Sequence, residues 1–194
     1  MILYYAPGAC SQASHIALIE AGLPHKLVKV GRDRRTDDGR DFNLINVKGY
    51  TPALDLGNGT ILTENLAILA YIADKSGKLL SGDGIERWRA LEATTFMTTE
   101  IHRNFIPFFR GGSAPEKAAA ADALLMRFGT LADQLGDKPF LIGAQMTIAD
   151  CYLFIMLAWA ARMGVKVPPP LDAYLARMKD VPSVVQALAT EGVA

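Results

Sequence analysis

The first 77 residues alternate short apolar runs with amphipathic segments, a pattern typical of an α/β domain. The apolar run at 1–5 predicts a buried strand that stops at a Pro-Gly turn. Apolar residues at helical spacing predict a helix over 11–21, which Gly22 ends. Residues 25–30 predict a second strand, and the chain therefore begins with a strand, a helix and a strand.

A hairpin and a further helix follow a charged, irregular stretch over 31–41. Strands are predicted over 53–56 and 60–62, on either side of a Gly-Asn-Gly turn. A helix is predicted over 64–75, with Thr63 as its cap. The first half of this domain should be parallel and the second antiparallel, which is the thioredoxin-like order.

The remainder of the chain carries helical patterns only. Helices are predicted over 85–106, 116–135, 148–163, 171–178 and 181–189. The segment GKLLSGDG at 77–84 is the predicted linker. We therefore expect two domains, an α/β domain over 1–77 and an all-helical domain over 85–194.

Composition and charge exclude several classes of partner. Lys plus Arg and Asp plus Glu both number 20, so no net field attracts nucleic acid or an anionic membrane. The most apolar stretch, 151–161, is shorter than the ~20 residues that span a bilayer. The first ten residues lack a leader pattern, and Cys10 and Cys151 belong to no CxxC pair. We expect a cytoplasmic protein with no metal, nucleic acid or membrane partner.

Cys10 is the first candidate for chemistry, because it stands where the Pro-Gly turn joins the first helix. Helix N-terminal N–H groups stabilise a thiolate and can lower a thiol pKa, although a cysteine can also be a small packed residue. Ser11 is either a second hydrogen-bond donor to a thiol or a helix cap. Tyr5 could donate a hydrogen bond to a thiolate or could serve only in packing. Cys151 is expected to be a buried packing residue.

Two further segments have both a functional and a purely structural interpretation. A cis bond at Thr51-Pro52 would expose backbone groups to an extended peptide ligand, whereas a trans bond would make it an ordinary turn. Glu64 and Asn65 begin a helix, whose N–H groups could receive the carboxylate of a ligand while Glu64 receives its ammonium. The alternative is that the two residues only cap the helix. His102 alone indicates only a surface or interface histidine.

One late motif is assigned to folding. The segment 147–150 has capping-box form, with Asp150 in place of the usual Glu or Gln, and it precedes a helix that is apolar nearly all round.

The motifs YYAPGACS, KGYTPAL, LTENLAIL, EIHR and TIADCYLF occur in this order along the chain. In this combination the chain resembles a bacterial beta-class glutathione S-transferase over nearly its whole length. The resemblance implies the cytosolic glutathione transferase fold, an α/β N-terminal thioredoxin-like domain followed by an all-α C-terminal domain.

The resemblance also implies roles for individual residues. Cys10 would contact the glutathione sulfur or form a mixed disulfide with it, and His102 would be the histidine of the fourth helix. The remaining residues implied to bind glutathione are Tyr5, Ser11, Arg34 or Arg35, Tyr50, Thr51, Pro52, Glu64, Asn65 and Arg103. Thr51 would pair with the glutathione backbone, and Glu64 and Asn65 would hold its γ-glutamyl end. The family pattern has other residues where this chain has Thr51, Asn65 and Thr95.

We expect an enzyme that uses glutathione as co-substrate, either conjugating it to small hydrophobic electrophiles or reducing small disulfides through a mixed disulfide on Cys10. The thiol pKa would be depressed, and His102 would hydrogen-bond the thiol or shuttle its proton. Phe105, Ile106, Phe108 and Phe109 would line the electrophile pocket. We also expect a homodimer. A glutathione-dependent lyase, dehalogenase or ether-cleaving enzyme and a non-catalytic ligand-binding protein are the alternatives.

Overall fold

The computed structural model describes residues 1–193, which form two compact units. Unit 1 comprises Met1–Leu80 together with the described residues from Val181 onward, and unit 2 comprises Ser81–Asp180. The break near residue 80 lies in the predicted linker. The division differs from the predicted one at the C-terminus, since the last helix belongs to unit 1 and packs against the first helix of that unit.

A four-stranded sheet in the order β2-β1-β3-β4 forms the centre of unit 1. The strands are β1 (Ile2–Tyr5), β2 (Lys26–Lys29), β3 (Ala53–Asp55) and β4 (Ile61–Thr63). β1 pairs in parallel with β2 and antiparallel with β3, and β3 pairs antiparallel with β4. The predicted thioredoxin-like order is confirmed.

In the described part of the chain, unit 1 contains three α-helices, and the first of them packs against the other two. They are α1 (Ser11–Ala21), α2 (Asn65–Ser76) and α8 (Pro182–Glu191), and α1 packs against both others. A short 3₁₀ helix, Phe42–Leu44, lies between β2 and β3. Every residue from Ser11 to Leu18 is buried, so α1 is the core of the unit. The predicted cap of α2 is wrong: Thr63 ends β4, and Glu64 takes the cap position without a side-chain hydrogen bond.

Unit 2 is helical. Its helices are α3 (Ile85–Phe96), α4 (Ile106–Phe109), α5 (Ala114–Leu135), α6 (Ile148–Met163) and α7 (Pro169–Met178). The predicted capping box at the start of α6 is present, and Asp150 is fully buried there. It accepts hydrogen bonds from Leu141 N at 2.8 Å and Tyr174 Oη at 2.7 Å, which anchors α6 to its surroundings.

The continuous helix predicted over 85–106 is interrupted. A π-helical turn, Met97–Ile101, and a 3₁₀ turn, His102–Phe105, separate α3 from α4. The hydroxyls of Thr94, Thr95, Thr98 and Thr99 each donate to the carbonyl four residues earlier, a contact that bends helices. Pro107 then removes a backbone donor from the next turn. No helix within residues 1–193 is both long and apolar enough to cross a membrane.

Candidate functional site

The turn before α1 brings Cys10 against the segment that precedes β3. Ala9 N donates to Ala6 O at 3.0 Å, which closes the turn, and Cys10 occupies the cap position of α1. The Cys10 Sγ lies 3.6 Å from the carbonyl oxygen of Thr51 and donates to it. The Thr51-Pro52 peptide bond is cis. The structure thus brings together Cys10, which the resemblance assigns to the glutathione sulfur, and Thr51, which it assigns to the glutathione backbone.

The pKa of Cys10 is shifted in the direction opposite to the expected one. Although Cys10 is partly exposed, desolvation of its sulfur raises the pKa of the thiol to about 12, and the nearby Glu64 carboxylate adds to this rise. The backbone N–H groups of Cys10 and Ser11 lower the pKa by less than burial raises it. The expectation of a depressed pKa is therefore wrong, because desolvation of the anion outweighs the helix N-terminus. Cys10 is a protonated thiol at neutral pH.

Ser11 and Tyr5 have other partners. The Ser11 hydroxyl is fully buried, accepts from Ala6 N at 3.1 Å and lies 3.2 Å from Ala6 O, so it fastens the turn and does not cap α1. The Tyr5 ring packs 6.3 Å from the His15 ring, and burial raises the Tyr5 pKa. The structure places neither hydroxyl in a hydrogen bond with Cys10.

A polar cluster surrounds the N-terminus of α2. Glu64 Oε1 accepts from Lys48 Nζ at 2.5 Å and from Tyr50 Oη at 2.8 Å. The hydrogen bond from Lys48 is the main cause that lowers the pKa of the Glu64 carboxyl, and that from Tyr50 contributes. Glu64 is therefore ionised at neutral pH. Its backbone φ is +70°, in the left-handed region that a residue with a side chain rarely adopts.

Asn65 follows Glu64 and is 8% exposed. Its Oδ1 accepts from Ser14 Oγ of α1 at 2.7 Å, which fixes the orientation of the amide. Its Nδ2 is buried and has no hydrogen-bond partner among residues 1–193. Buried donors without partners are rare and costly.

Arg34 and Arg35, in the charged loop, form hydrogen bonds with residues close to them in the sequence. Arg34 Nη1 donates to Asn43 Oδ1 at 3.3 Å, and Arg35 Nη1 donates to Gly39 O at 3.3 Å. The loop itself is ordered by an isolated bridge between Arg35 and Asp41. These contacts do not connect either arginine with Cys10 or Glu64.

His102 of unit 2 lies among aromatic residues of α6. Its Nδ1 is 2.6 Å from the hydroxyl of Tyr152, and its ring is 4.9 Å from that of Trp159. Burial lowers the pKa of His102 to about 4. The imidazole is thus neutral at pH 7 and a weak base, which argues against a large share in proton shuttling.

The residues predicted to line the electrophile pocket differ in their exposure. Phe105 is fully buried against Trp159 and belongs to the core, so the prediction that it lines an open pocket is wrong. Ile106 is 38% exposed, Phe109 is 44% exposed, and the Phe109 ring lies 4.6 Å from that of Trp159. The neighbouring Arg103 is exposed.

Several residues of these clusters are absent from the sequence-based prediction. Lys48 is the lysine of the KGYTPAL motif, so that motif could have indicated it as a site residue. Tyr152 and Trp159 are seven positions apart on α6 and so share a face, but nothing in the sequence links that face to His102. Glu191, near the end of the chain, has no local signal at all.

The buried carboxylate of Glu191 connects α8 with the Cys10 turn. Glu191 Oε2 accepts from Gly8 N at 3.0 Å and from Gln12 Nε2 at 3.1 Å. Its Oε1 lies 2.9 Å from His15 Nδ1, with both side chains almost completely buried. The C-terminal helix therefore holds the backbone that carries Cys10.

Comparisons with known proteins identify the family. Residues 8–75 match the model of the glutathione S-transferase N-terminal domain, and residues 114–177 match that of the C-terminal domain. The glutathione S-transferase GstA of Escherichia coli O157:H7 is 38% identical over 199 residues, covering 99% of each chain.

Solved structures agree with the sequence matches. A sphingomonad glutathione S-transferase complexed with glutathione is 39% identical, with a TM-score of 0.92 over 100% of both chains. A bacterial beta-class glutathione S-transferase of Sphingomonas chungbukensis is 42% identical, with the same TM-score and the same coverage. As the sequence predicts, this chain belongs to the glutathione S-transferase family of enzymes.

Proposed function

We propose that the enzyme conjugates glutathione to small hydrophobic electrophiles, with the tripeptide held by unit 1 and the electrophile by the aromatic residues of unit 2. The observation that carries the proposal is the buried Nδ2 of Asn65, which has no partner among the described residues and lies beside the ionised Glu64. A donor and a carboxylate at one helix N-terminus suit a ligand that carries both an ammonium and a carboxylate.

The γ-glutamyl end of glutathione carries both groups. Its carboxylate would accept from Asn65 Nδ2 and from the first backbone N–H groups of α2, a 12-residue helix whose dipole favours an anion at this end. Its ammonium would approach Glu64. Lys48 and Tyr50 both use Oε1 of that carboxylate, and Oε2 makes no hydrogen bond with residues 1–193.

The middle of glutathione would pair with the backbone of Thr51, flanked by Tyr50 and Pro52. Cys10 lies 3.6 Å from the Thr51 carbonyl, so the glutathione sulfur would lie near Cys10. Arg35 or Arg34 would receive the glycyl carboxylate, since a guanidinium can grip a carboxylate with two hydrogen bonds. Arg103 is the basic residue proposed to contribute from unit 2.

The glutathione thiol, and not Cys10, would be the nucleophile. A pKa of about 12 leaves Cys10 protonated, so its S–H can donate to a neighbouring sulfur anion but rarely attacks. The glutathione thiolate would form a new S–C bond with the electrophile, the leaving group would depart with its electron pair, and the thiol proton would pass to solvent. His102, neutral at pH 7, would act by hydrogen bonding.

Disulfide reduction is the second candidate activity. Cys10 is a free cysteine and is partly exposed, so oxidised glutathione could exchange with it. The Cys10 sulfur would bond to one glutathione sulfur, and reduced glutathione would leave. The high pKa of Cys10 slows its attack on the disulfide.

Calorimetry of glutathione binding tests the proposed site. Glu64→Gln and Asn65→Ala should each weaken binding by about 1–3 kcal/mol, since each removes a hydrogen-bond partner of a charged group. Glu20→Gln is the matched control, because it removes the same charge near the far end of α1, roughly 15 Å from its start at a rise of 1.5 Å per residue. Unchanged affinity in both site variants would remove the α2 N-terminus from the site.

We further propose a homodimer. Leu44 and Val47 of unit 1 are 85% and 92% exposed, and Ile85 and Trp88 on α3 of unit 2 are 66% and 63% exposed. A second copy of the chain would cover these apolar side chains. In analytical ultracentrifugation Val47→Glu and Trp88→Glu should shift the protein toward monomer, whereas Val185→Glu on α8 should not. A monomeric wild-type protein at micromolar concentration would contradict this proposal.

The cytoplasm is the proposed location, because the chemistry requires reduced glutathione. Turnover separates this proposal from the alternative functions. A ligand-binding protein would hold glutathione without forming product, and a dedicated lyase or dehalogenase would prefer one electrophile in a panel by orders of magnitude.

A further inference from the structure

Tyr152 and Trp159 hold the His102 imidazole from one face of α6. The Tyr152 hydroxyl lies 2.6 Å from His102 Nδ1, and the Trp159 ring meets the imidazole at an interplanar angle of 74°. Both residues belong to the same helix, which is capped at Thr147 and buried along most of its length. His102 itself follows the π-helical turn Met97–Ile101, a type of irregularity that is frequent at functional sites.

Tyr152 is 1% exposed, so its hydroxyl cannot touch a substrate directly and can act only through a neighbour. His102 is one of its neighbours, and it is partly exposed. We propose that Tyr152 is the positioning residue of His102: its hydroxyl donates to Nδ1, places the ring proton on Nε2, and so makes Nε2 a hydrogen-bond donor.

The direction of the hydrogen bond follows from acidity. A phenol is a stronger acid than the N–H of a neutral imidazole, so the phenol donates and Nδ1 accepts. In a neutral histidine the nitrogen that accepts leaves the proton on the other nitrogen. Burial lowers the pKa of His102 to about 4, which supports the neutral form that this arrangement requires.

The consequence concerns the role of His102 in conjugation and so rests on the function proposed above. A neutral histidine with its proton on Nε2 offers no lone pair on that nitrogen to take a proton from glutathione. It can donate to a sulfur anion or to a leaving group that gains negative charge. His102 would therefore stabilise charge and would not act as a general base.

The tautomer can be measured without glutathione. In the full-length protein labelled with ¹⁵N, long-range ¹H–¹⁵N correlation spectra should show His102 with a protonated Nε2 and an acceptor Nδ1 at pH 7. Because this spectrum needs no variant, it tests the proposal even if Tyr152 variants do not fold. A protonated Nδ1 in the wild-type protein would overturn the proposal.

Kinetics test whether Tyr152 acts through His102. Tyr152→Phe should lower kcat by roughly tenfold, the effect of one lost hydrogen bond, with KM for glutathione unchanged within about twofold. The double variant Tyr152→Phe/His102→Gln should be no slower than His102→Gln alone. Additive losses would overturn the positioning role.

The two sets of results separate this inference from the proposed function. If the wild-type protein showed no turnover, the proposed function would fail, while the ¹⁵N spectrum would still decide the tautomer. If conjugation proceeded and the spectrum showed a protonated Nδ1, only the Tyr152 inference would fail.

Discussion

Removal of the Glu191 carboxylate should strongly destabilise unit 1. Three donors point at this group, Gly8 N, Gln12 Nε2 and His15 Nδ1, at distances of 2.9 to 3.1 Å. The Glu191 side chain is fully buried and that of His15 is 2% exposed, so water does not replace the lost acceptor without local opening.

The magnitude follows from the number of partners lost. A buried polar group left without a partner costs about 1–3 kcal/mol, and the costs in one network are not additive. Because three buried donors lose their acceptor, we expect Glu191→Ala to lower the free energy of unfolding by about 3–5 kcal/mol. Glu191→Gln, which keeps one acceptor oxygen, should lower it by about 1–3 kcal/mol.

Urea denaturation followed by far-ultraviolet circular dichroism measures these values, at one fixed protein concentration because assembly affects apparent stability. Thr190→Ala is the matched control, since Thr190 is the neighbouring residue on α8 and its exposed hydroxyl donates only to Gln186 O. It should change stability by at most about 0.5 kcal/mol. A loss for Glu191→Ala no larger than that of the control would refute the reasoning.

The remaining predictions concern the two titratable groups with strongly shifted pKa values. Cys10 should react with iodoacetamide at pH 8 roughly 30–50-fold more slowly than an unperturbed thiol, because about 10³-fold less thiolate is partly offset by the higher nucleophilicity of a more basic sulfur. Peptide mapping after timed alkylation measures the rate, and a rate equal to that of free cysteine would contradict the high pKa. His102 has a folded-state pKa of about 4, below the value of about 6.5 in an unfolded chain, so the unfolded state binds more protons between these values. Its contribution to stability is therefore fully present above pH 6.5 and is lost as the pH falls toward 4, by at most about 3 kcal/mol. Urea titrations of the wild-type protein and His102→Gln at several pH values should show a smaller acid dependence in the variant, and identical slopes would contradict the burial of His102.

The helix boundaries that sequence reasoning found are those set by local chemistry. The predicted bounds of α1 and α6 match the structure, because Gly22 and Gly164 take left-handed conformations, with φ of +70° and +68°, that end the two helices. The prediction failed between 97 and 105, where the threonine hydroxyls and Pro107 compete with regular helical hydrogen bonds.

Site residues could be predicted from the sequence where they belong to a recognisable motif. Cys10 and Thr51 both lie in such motifs, and the structure brings them into contact. The sign of the Cys10 pKa shift depends on how deeply the sulfur is packed, which no local pattern reveals. Glu191 and His15 are 176 positions apart, so only the tertiary fold relates them. The same holds for His102 and Tyr152, which are 50 positions apart.

The central claim, that the thiol of bound glutathione is the nucleophile, is tested most directly by the steady-state rate at which Cys10→Ala conjugates glutathione to a chlorinated dinitroaromatic. The wild-type protein should form the conjugate, and Cys10→Ala should keep at least about a tenth of its kcat, since the variant loses one hydrogen-bond donor and not the attacking group. Oxidised glutathione should add one tripeptide mass to the wild-type protein and none to the variant. A variant that binds glutathione normally but forms no conjugate would contradict the account and would make Cys10 itself the reacting group.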